Sequence, residues 1–267
     1  MISVVEVIAT GVREVIRDGR SLDQVTSFWL KQNRHWSKFD KGFFAETLAE
    51  VVRWWRLLNE FKFVTDVNYG SEYHNAVANY MALHSDIGAT QGLITPLYAK
   101  KVRNLFDQLN VSRAVRESIP DWLDRIGEDE LGGSWEDEIK ALNKSPEIIL
   151  RVNSLKSSRD ELLSWLKREK YQALPMELPD AIRLTERANI FSSEAFRLGM
   201  FEQQDYSSQL VAPFLETKAG MRVVDACAGN GGKTLHLASI MSNKGRIIAL
   251  DVADWKLNEL KIRVRRA

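Results

Sequence analysis

The 267-residue sequence has one cysteine, Cys227, so no disulfide can form within the chain. Its four histidines, His35, His74, His84 and His236, do not fall at metal-ligand spacing with that thiol, and structural zinc is not expected. No apolar run approaches the length needed to span a bilayer. The N-terminus, MISVVEVIATGVREVIRDGR, has no long apolar core or small-residue cleavage site of the secretory kind. A cytoplasmic location is the expectation. Charge of one sign is also lacking: the formal net charge is +1, so a nucleic-acid surface would have to be a local patch. With 45% hydrophobic and 27% charged residues, the composition is that of a soluble globular protein with room for more than one domain.

What is present divides into three compositions. Residues 1–126 carry apolar positions at spacings of three and four, which predicts an all-α bundle. Val4, Val5, Ile8, Val12 and Ile16 make one face of a first helix, ended by Gly19, and Ser21 with Gln24 has capping-box spacing for a second. Asp40 is the expected cap of a third helix over 41–61, with a stripe of Phe43, Phe44, Leu48, Val51, Val52 and Trp55. Thr95-Pro96 starts another. Arginines interleaved with aromatics in RHWSKFDKGFF and VVRWWRLL suit nucleic-acid stacking, but their spacing favours packing; Arg34, Lys38, Arg53 and Arg56 remain as candidates to face phosphate.

GEDELGGSWEDE, residues 127–138, reads as an acidic, solvated connection leading into a helix. A small α+β domain is expected over 127–205, with strands at 148–153, at 181–184 and near Ile190 and Phe191, and a helix capped by Ser157 or Ser158 that buries Leu162, Leu163 and Leu166. From 206 onward the pattern changes again. MRVVDA reads as a strand, AGNGG as a tight turn, KTLHLASIM as a helix, RIIALD as a second strand and ADWKLNELKIRVRRA as a second helix. That is the opening βαβα unit of a doubly wound, Rossmann-like sheet. Two strands cannot bury both faces of a parallel sheet, so residues 206–267 are expected to be marginal by themselves, with VVDA and IIAL partly exposed as open edges suited to self-association.

The turn between strand and helix is the feature that carries chemistry. Glycines let a backbone approach a ligand, and the first amides of the next helix are free donors. A phosphate-binding P-loop would end in Gly232, Lys233 and Thr234, but its leading position is Cys227 and not glycine. A dinucleotide fingerprint would use Gly229 and Gly231, but its third glycine is replaced by Thr234. Asp251, at the end of the second strand, is placed to accept hydrogen bonds from ribose hydroxyls. Cys227 reads equally as a small buried residue at a strand end, Lys233 as a helix-start residue near the ligand, and His236 as packed and not catalytic.

Asp225 followed by ACAGNGGKT resembles the first motif of the RsmB/Sun-type RNA (cytosine-5)-methyltransferases, with Gly229-Asn230 where that family usually has Ala-Pro. The similarity extends upstream through FEQQDYSSQLVAPFL (201–215), the Arg-Val-Asn region ALNKSPEIILRVNSLKSSRDEL (141–162) and SIPDWL (118–123). DKGFFAETLAEVVRWWRLLNE is similar to a NusB-type helical domain. The resemblance implies a multidomain chain: a NusB-like domain (1–126), a small α+β RNA-binding-type domain (127–205), and an incomplete class I methyltransferase domain (206–267). It implies S-adenosyl-L-methionine as cofactor, held by Cys227, Ala228, Gly229, Asn230, Gly231, Gly232, Lys233 and Asp251, and small-subunit (16S) ribosomal RNA as partner. In that family the nucleophile is a cysteine in a later motif; Cys227 matches the loop cysteine instead. The resemblance therefore predicts an N-terminal fragment that is inactive by itself. The other open reading is an RNA- or protein-binding module with a vestigial cofactor loop.

Overall fold

In a computed structural model, residues 3–61, 70–84, 94–186 and 188–267 are described. They divide into two compact units, Met1–Lys144 and Ser145–Ala267.

The first unit is helical. α1 (Val4–Ile16), α2 (Leu22–Gln32), α3 (Lys38–Arg53), α4 (Trp55–Glu60), α5 (Glu72–His84) and α6 (Pro96–Gln108) enclose one core, with Ile8, Phe44, Leu48, Val51 and Met81 buried at its centre. Ile16, the last position of the expected α1 face, is exposed. Ser21 and Thr95 cap α2 and α6 as their sequences imply, and Pro96 opens α6. The third helix differs from expectation. Its cap is Ser37, three residues earlier, because a hydroxyl at the cap and a carboxylate at the third helical position satisfy two free amides reciprocally. Asp40 is that carboxylate: its amide donates to Ser37 Oγ at 3.1 Å and its Oδ2 accepts from the Ser37 amide at 3.2 Å. The helix also breaks at Trp54, so the stretch expected to be one element is two.

The acidic stretch after Pro120 is helix, not linker. α7 (Arg113–Arg116), α8 (Asp121–Leu131) and α9 (Trp135–Leu142), with a single 3-10 turn at Gly132–Ser134, build a small second core around Ile119, Trp135 and Ile139. The charge run is the solvated face of an amphipathic pair. Its buried face is anchored by Asp124, which accepts from Trp135 Nε1 at 2.8 Å and Arg113 Nε at 2.7 Å. The first compact unit thus runs to Lys144, past residue 126, where the sequence places a domain boundary. Arg56 is engaged here: its guanidinium donates to the Ile119 carbonyl at 2.5 Å and Asp121 Oδ1 at 2.7 Å, which removes it from the phosphate-facing candidates. Arg34, Lys38 and Arg53 are exposed.

The second unit begins with an antiparallel sheet. β1 (Ile149–Val152), β2 (Ala173–Pro175), β3 (Ala181–Leu184) and β4 (Phe201–Gln203) stand in the order β2-β3-β1-β4, with α10 (Arg159–Arg168) crossing between β1 and β2. That is the split βαβ order. Ser158 caps α10 in a full capping box, and Leu162 and Leu166 face the sheet with Leu150, Ile182 and Phe201. Ile190 and Phe191 are not a strand: they lie in a 3-10 turn, Ile190–Ser192, that leads into α11 (Glu194–Arg197). An apolar pair this short satisfies either geometry, and Ser193, which caps α11, decides it.

α12 (Tyr206–Phe214) leads to β5 (Arg222–Asp225), α13 (Gly232–Ile240), β6 (Arg246–Ala249) and α14 (Asp254–Arg266). β5 and β6 pair in parallel, Val223 opposite Ile247 and Asp225 opposite Ala249. This is the βαβα unit read from the sequence. Both strands are half covered: Val224, Ile248 and Leu250 are exposed, and Val252 fully so.

Candidate cofactor-binding loop

The loop runs from Asp225 at the end of β5 to Gly232 at the start of α13. Its shape is set by three internal bonds. The Ala228 amide donates to the Leu250 carbonyl at 2.9 Å, the Gly231 amide to the Ala228 carbonyl at 2.8 Å, and Thr234 Oγ1 to Asp225 Oδ2 at 2.6 Å. The last of these ties the first turn of α13 to the end of β5. Gly231 is left-handed, with φ +88, and a Cβ there would lie 2.0 Å from Leu260 Cδ1. Only glycine serves, because the turn must pass directly against α14.

Asp251 closes the other side. Its Oδ2 accepts from the Gly229 amide at 2.8 Å and its Oδ1 from the Ala253 amide at 2.9 Å. The Ala253 and Gly229 amides hold this carboxyl below the usual carboxylate range. Each oxygen keeps a lone pair, so the same group can also accept from two hydroxyls. Nothing lies within 4 Å of where a Gly229 Cβ would stand. Above the loop is open space, and beneath it the first amides of α13 have no intrahelical acceptor. A donor set of this kind suits a ligand carrying both a ribose and an anionic end.

The sequence-proposed residues are therefore together, with distinct surroundings. Ala228 and Gly231 are buried supports, Gly229 and Gly232 are half-buried, and Cys227, Asn230 and Lys233 are exposed. The burial weighed for Cys227 does not occur. His236 is packed inside the unit, and burial, with the nearby Arg151 charge, lowers its pKa to about 4. A cavity of about 920 Å³ adjoins the loop's supports, between α13, α14 and β6, lined by Arg151, Glu202 and Thr234 as well as by Leu235, Ile247 and Leu257. The loop itself is open and not a closed pocket.

Sequence reasoning missed what holds the loop from below. Arg151, in the centre of β1 and 1% exposed, donates through Nη1 to the Gly232 carbonyl at 2.7 Å and to Gln204 Oε1. Burial lowers its pKa to about 10, against the opposing pull of Glu202. Arg263 of α14 donates to the Asn230 carbonyl at 2.9 Å and to Glu202 Oε2 at 2.7 Å. Glu202 is itself buried and also accepts from Arg266 at 2.5 Å. Asn153 donates to the Gly199 carbonyl at 2.9 Å and the Ala267 carbonyl at 3.1 Å, and accepts from Ser239 at 3.3 Å. The available signal was Glu202 and Gln204 at alternate positions beside an apolar strand: charged and amide groups facing a sheet interior require partners.

A parallel βαβα unit with a glycine turn held by a strand-end carboxylate is the beginning of a nucleotide-cofactor domain, here joined to a split βαβ sheet. Comparison with known proteins narrows this class. The family described as "Methyltr_RsmF/B-like, ferredoxin-like domain" matches residues 119–191, and that described as "16S rRNA methyltransferase RsmB/F" matches residues 212–267. The chain is 33% identical over 167 residues to a probable ribosomal RNA small subunit methyltransferase B of Synechocystis, covering 61% of this chain and 37% of that one. It is 30% identical over 206 residues to ribosomal RNA small subunit methyltransferase B of Pseudomonas syringae, covering 72% and 45%. Among solved structures, that of PH0851 has a TM-score of 0.71 at 24% identity, covering 99% of this chain and 66% of that one, and shows the shared fold. Over residues 119–191 and 212–267 the chain is thus similar to the RsmB/F-type ribosomal RNA methyltransferases. It spans less than half the length of these two curated relatives.

Proposed function

We propose that residues 225–251 form the S-adenosyl-L-methionine site of an RNA cytosine-5 methyltransferase acting on small-subunit ribosomal RNA in the cytoplasm. The observation that carries this reading is the Asp251–Gly229 bond beneath an open glycine turn. It sets a carboxylate where a ribose would lie and leaves the α13 amides facing the same space. The cofactor, when bound, supplies an electrophilic methyl sulfonium. Of the chain's own groups, Asp251 accepts from the ribose, Gly229 to Gly232 give close backbone approach, and Lys233, exposed on the first turn of α13, adds positive charge near the carboxylate end. Ala228 and Asn230 shape the turn, and Cys227 lies beside it.

Within this reading the first unit is a NusB-like accessory domain and the split βαβ sheet an RNA-facing one. Cys227, the chain's one cysteine, lies in the cofactor loop and is not the nucleophile, so residues 1–267 alone transfer no methyl group. The open edges of β5 and β6 favour association between copies.

Saturation-transfer NMR of the 267-residue chain with S-adenosylhomocysteine tests the cofactor assignment. Transfer to the ribose protons is expected, with loss in Asp251→Ala. Equal transfer in both proteins, or none in either, would reject it.

A further inference from the structure

We infer that Arg151 and Arg263 are positioning residues that let the small antiparallel sheet set the geometry of the cofactor loop; this rests on the cofactor reading above. Two guanidinium groups reach the two ends of the same short segment. Arg263 holds the Asn230 carbonyl and Arg151 the Gly232 carbonyl, so the Asn230–Gly231 and Gly232–Lys233 peptide planes are fixed from beneath. Those planes orient the amides of Gly231 and Lys233, and the Lys233 amide is among the donors that point out of the N-terminus of α13.

Neither guanidinium is anchored by the loop alone. Arg263 is held by Glu202 in two bonds, at 3.0 and 2.7 Å, and Arg151 by Gln204. Glu202 belongs to β4 and Gln204 follows it, on the same side of an extended segment. β4 pairs with β1 at Arg151↔Glu202, so one rung of the small sheet carries both the arginine under Gly232 and the carboxylate under Arg263. Gln204 also donates to the Ser208 carbonyl at 3.3 Å, and Gln209 donates to the Gln204 carbonyl at 3.0 Å, which fixes the strand end against α12.

Fold maintenance alone does not require this arrangement. Glu202 already has Arg266 as a second partner, and among the described residues the Arg266 side chain makes no hydrogen bond to the loop. The bond that Arg263 adds is the one to Asn230. A shift of β4 or β1, as when a substrate loads the small sheet, moves the two carbonyls together, and the loop responds as a unit.

The test uses the full chain with Arg263→Lys and, separately, Gln204→Met. A lysine can pair with Glu202 but lacks the fork needed to donate to Asn230 at the same time. Gln204→Met keeps side-chain length but removes the acceptor that orients Arg151. Hydrogen exchange of the bonded amides of Ala228, Gly229 and Gly231 is expected to quicken about tenfold in both variants. Exchange in α10 and the melting temperature stay unchanged in Arg263→Lys, whereas Gln204→Met, which leaves the buried Arg151 short of an acceptor, also lowers the melting temperature. The dissociation constant of S-adenosylhomocysteine is expected to rise about tenfold. Wild-type exchange at these amides in Arg263→Lys, or acceleration spread evenly through Ser145–Ala267 in that variant, would overturn the inference. The exchange measurement needs no ligand: S-adenosylhomocysteine failing to bind even the wild-type chain counts against the cofactor reading, while the exchange result still decides the positioning role.

Discussion

The Asp251 carboxylate, at the end of β6, accepts the amide of Gly229, in the loop after β5, at 2.8 Å. One side chain thus links the two strand ends between which a ligand would sit. Because its second oxygen holds the Ala253 amide, the carboxylate is fixed before any ligand arrives. Asp251→Asn should keep one of these bonds and set an amide N–H against a backbone N–H at the other. The expected result is a roughly tenfold or greater loss of S-adenosylhomocysteine affinity, by calorimetry, with the fold retained. An unchanged affinity would remove Asp251 from the site.

Gly231→Ala should be far more damaging to the fold. The added Cβ would meet Leu260 at 2.0 Å in a backbone region that alanine rarely adopts. Overpacking and strain together place the cost at about 2–4 kcal/mol, borne by Ser145–Ala267. Pulse proteolysis in urea, read on fragments from that unit, checks this. Wild-type resistance would mean that α14 yields freely.

These two residues show what was legible and what was not. The βαβα unit, the glycine loop and Asp251 could be read directly, because strand, turn and helix periods change sharply within a few residues. The same holds for β3 and for the caps at Ser21 and Thr95, where local chemistry determines the element, while for α10 the sequence offered Ser157 or Ser158 and the structure selects Ser158. Arg151, Glu202, Gln204 and Arg263 were opaque. Their roles depend on pairing between β1 and β4, about fifty residues apart, and on α14 packing below the loop, about sixty from β4. Nothing local in the sequence reports such contacts. The helical status of 127–138 was hidden for the opposite reason: its charge is conspicuous, while its apolar face is contributed by Trp135 and Ile139, four residues apart.

That buried face gives a prediction for the first unit. Gly127 lies on α8 where Trp135 crosses it, and a Cβ would stand 2.2 Å from the indole. Gly127→Ala, normally favourable in a helix, should here cost about 1–3 kcal/mol, because the ring is fixed by its bond to Asp124 and cannot retreat. Urea unfolding should show the loss in fragments from Met1–Lys144, with the second unit unaffected. Stabilisation would mean that Trp135 is not held as described.

His236 supplies a dependence on pH with a definite sign. Burial depresses its folded pKa to about 4, from an ordinary value of 6.5, so the folded chain keeps the ring neutral where the unfolded chain protonates it. Between those two values the unfolded state binds more protons, and stability falls as pH falls. Above 6.5 the contribution is fully present, and below about 4 there is no further loss from this group. Asp251 acts in the same sense at lower pH, since its folded pKa is also depressed, and its contribution is lost as pH drops through that value. The urea midpoint of Ser145–Ala267 should therefore decline from pH 7 to pH 4.5, and His236→Gln should flatten that decline. Gln is the informative replacement: it stays uncharged across the range, so any slope that survives comes from other groups. A slope identical to wild type would show that His236 is not the residue taking up the proton on unfolding.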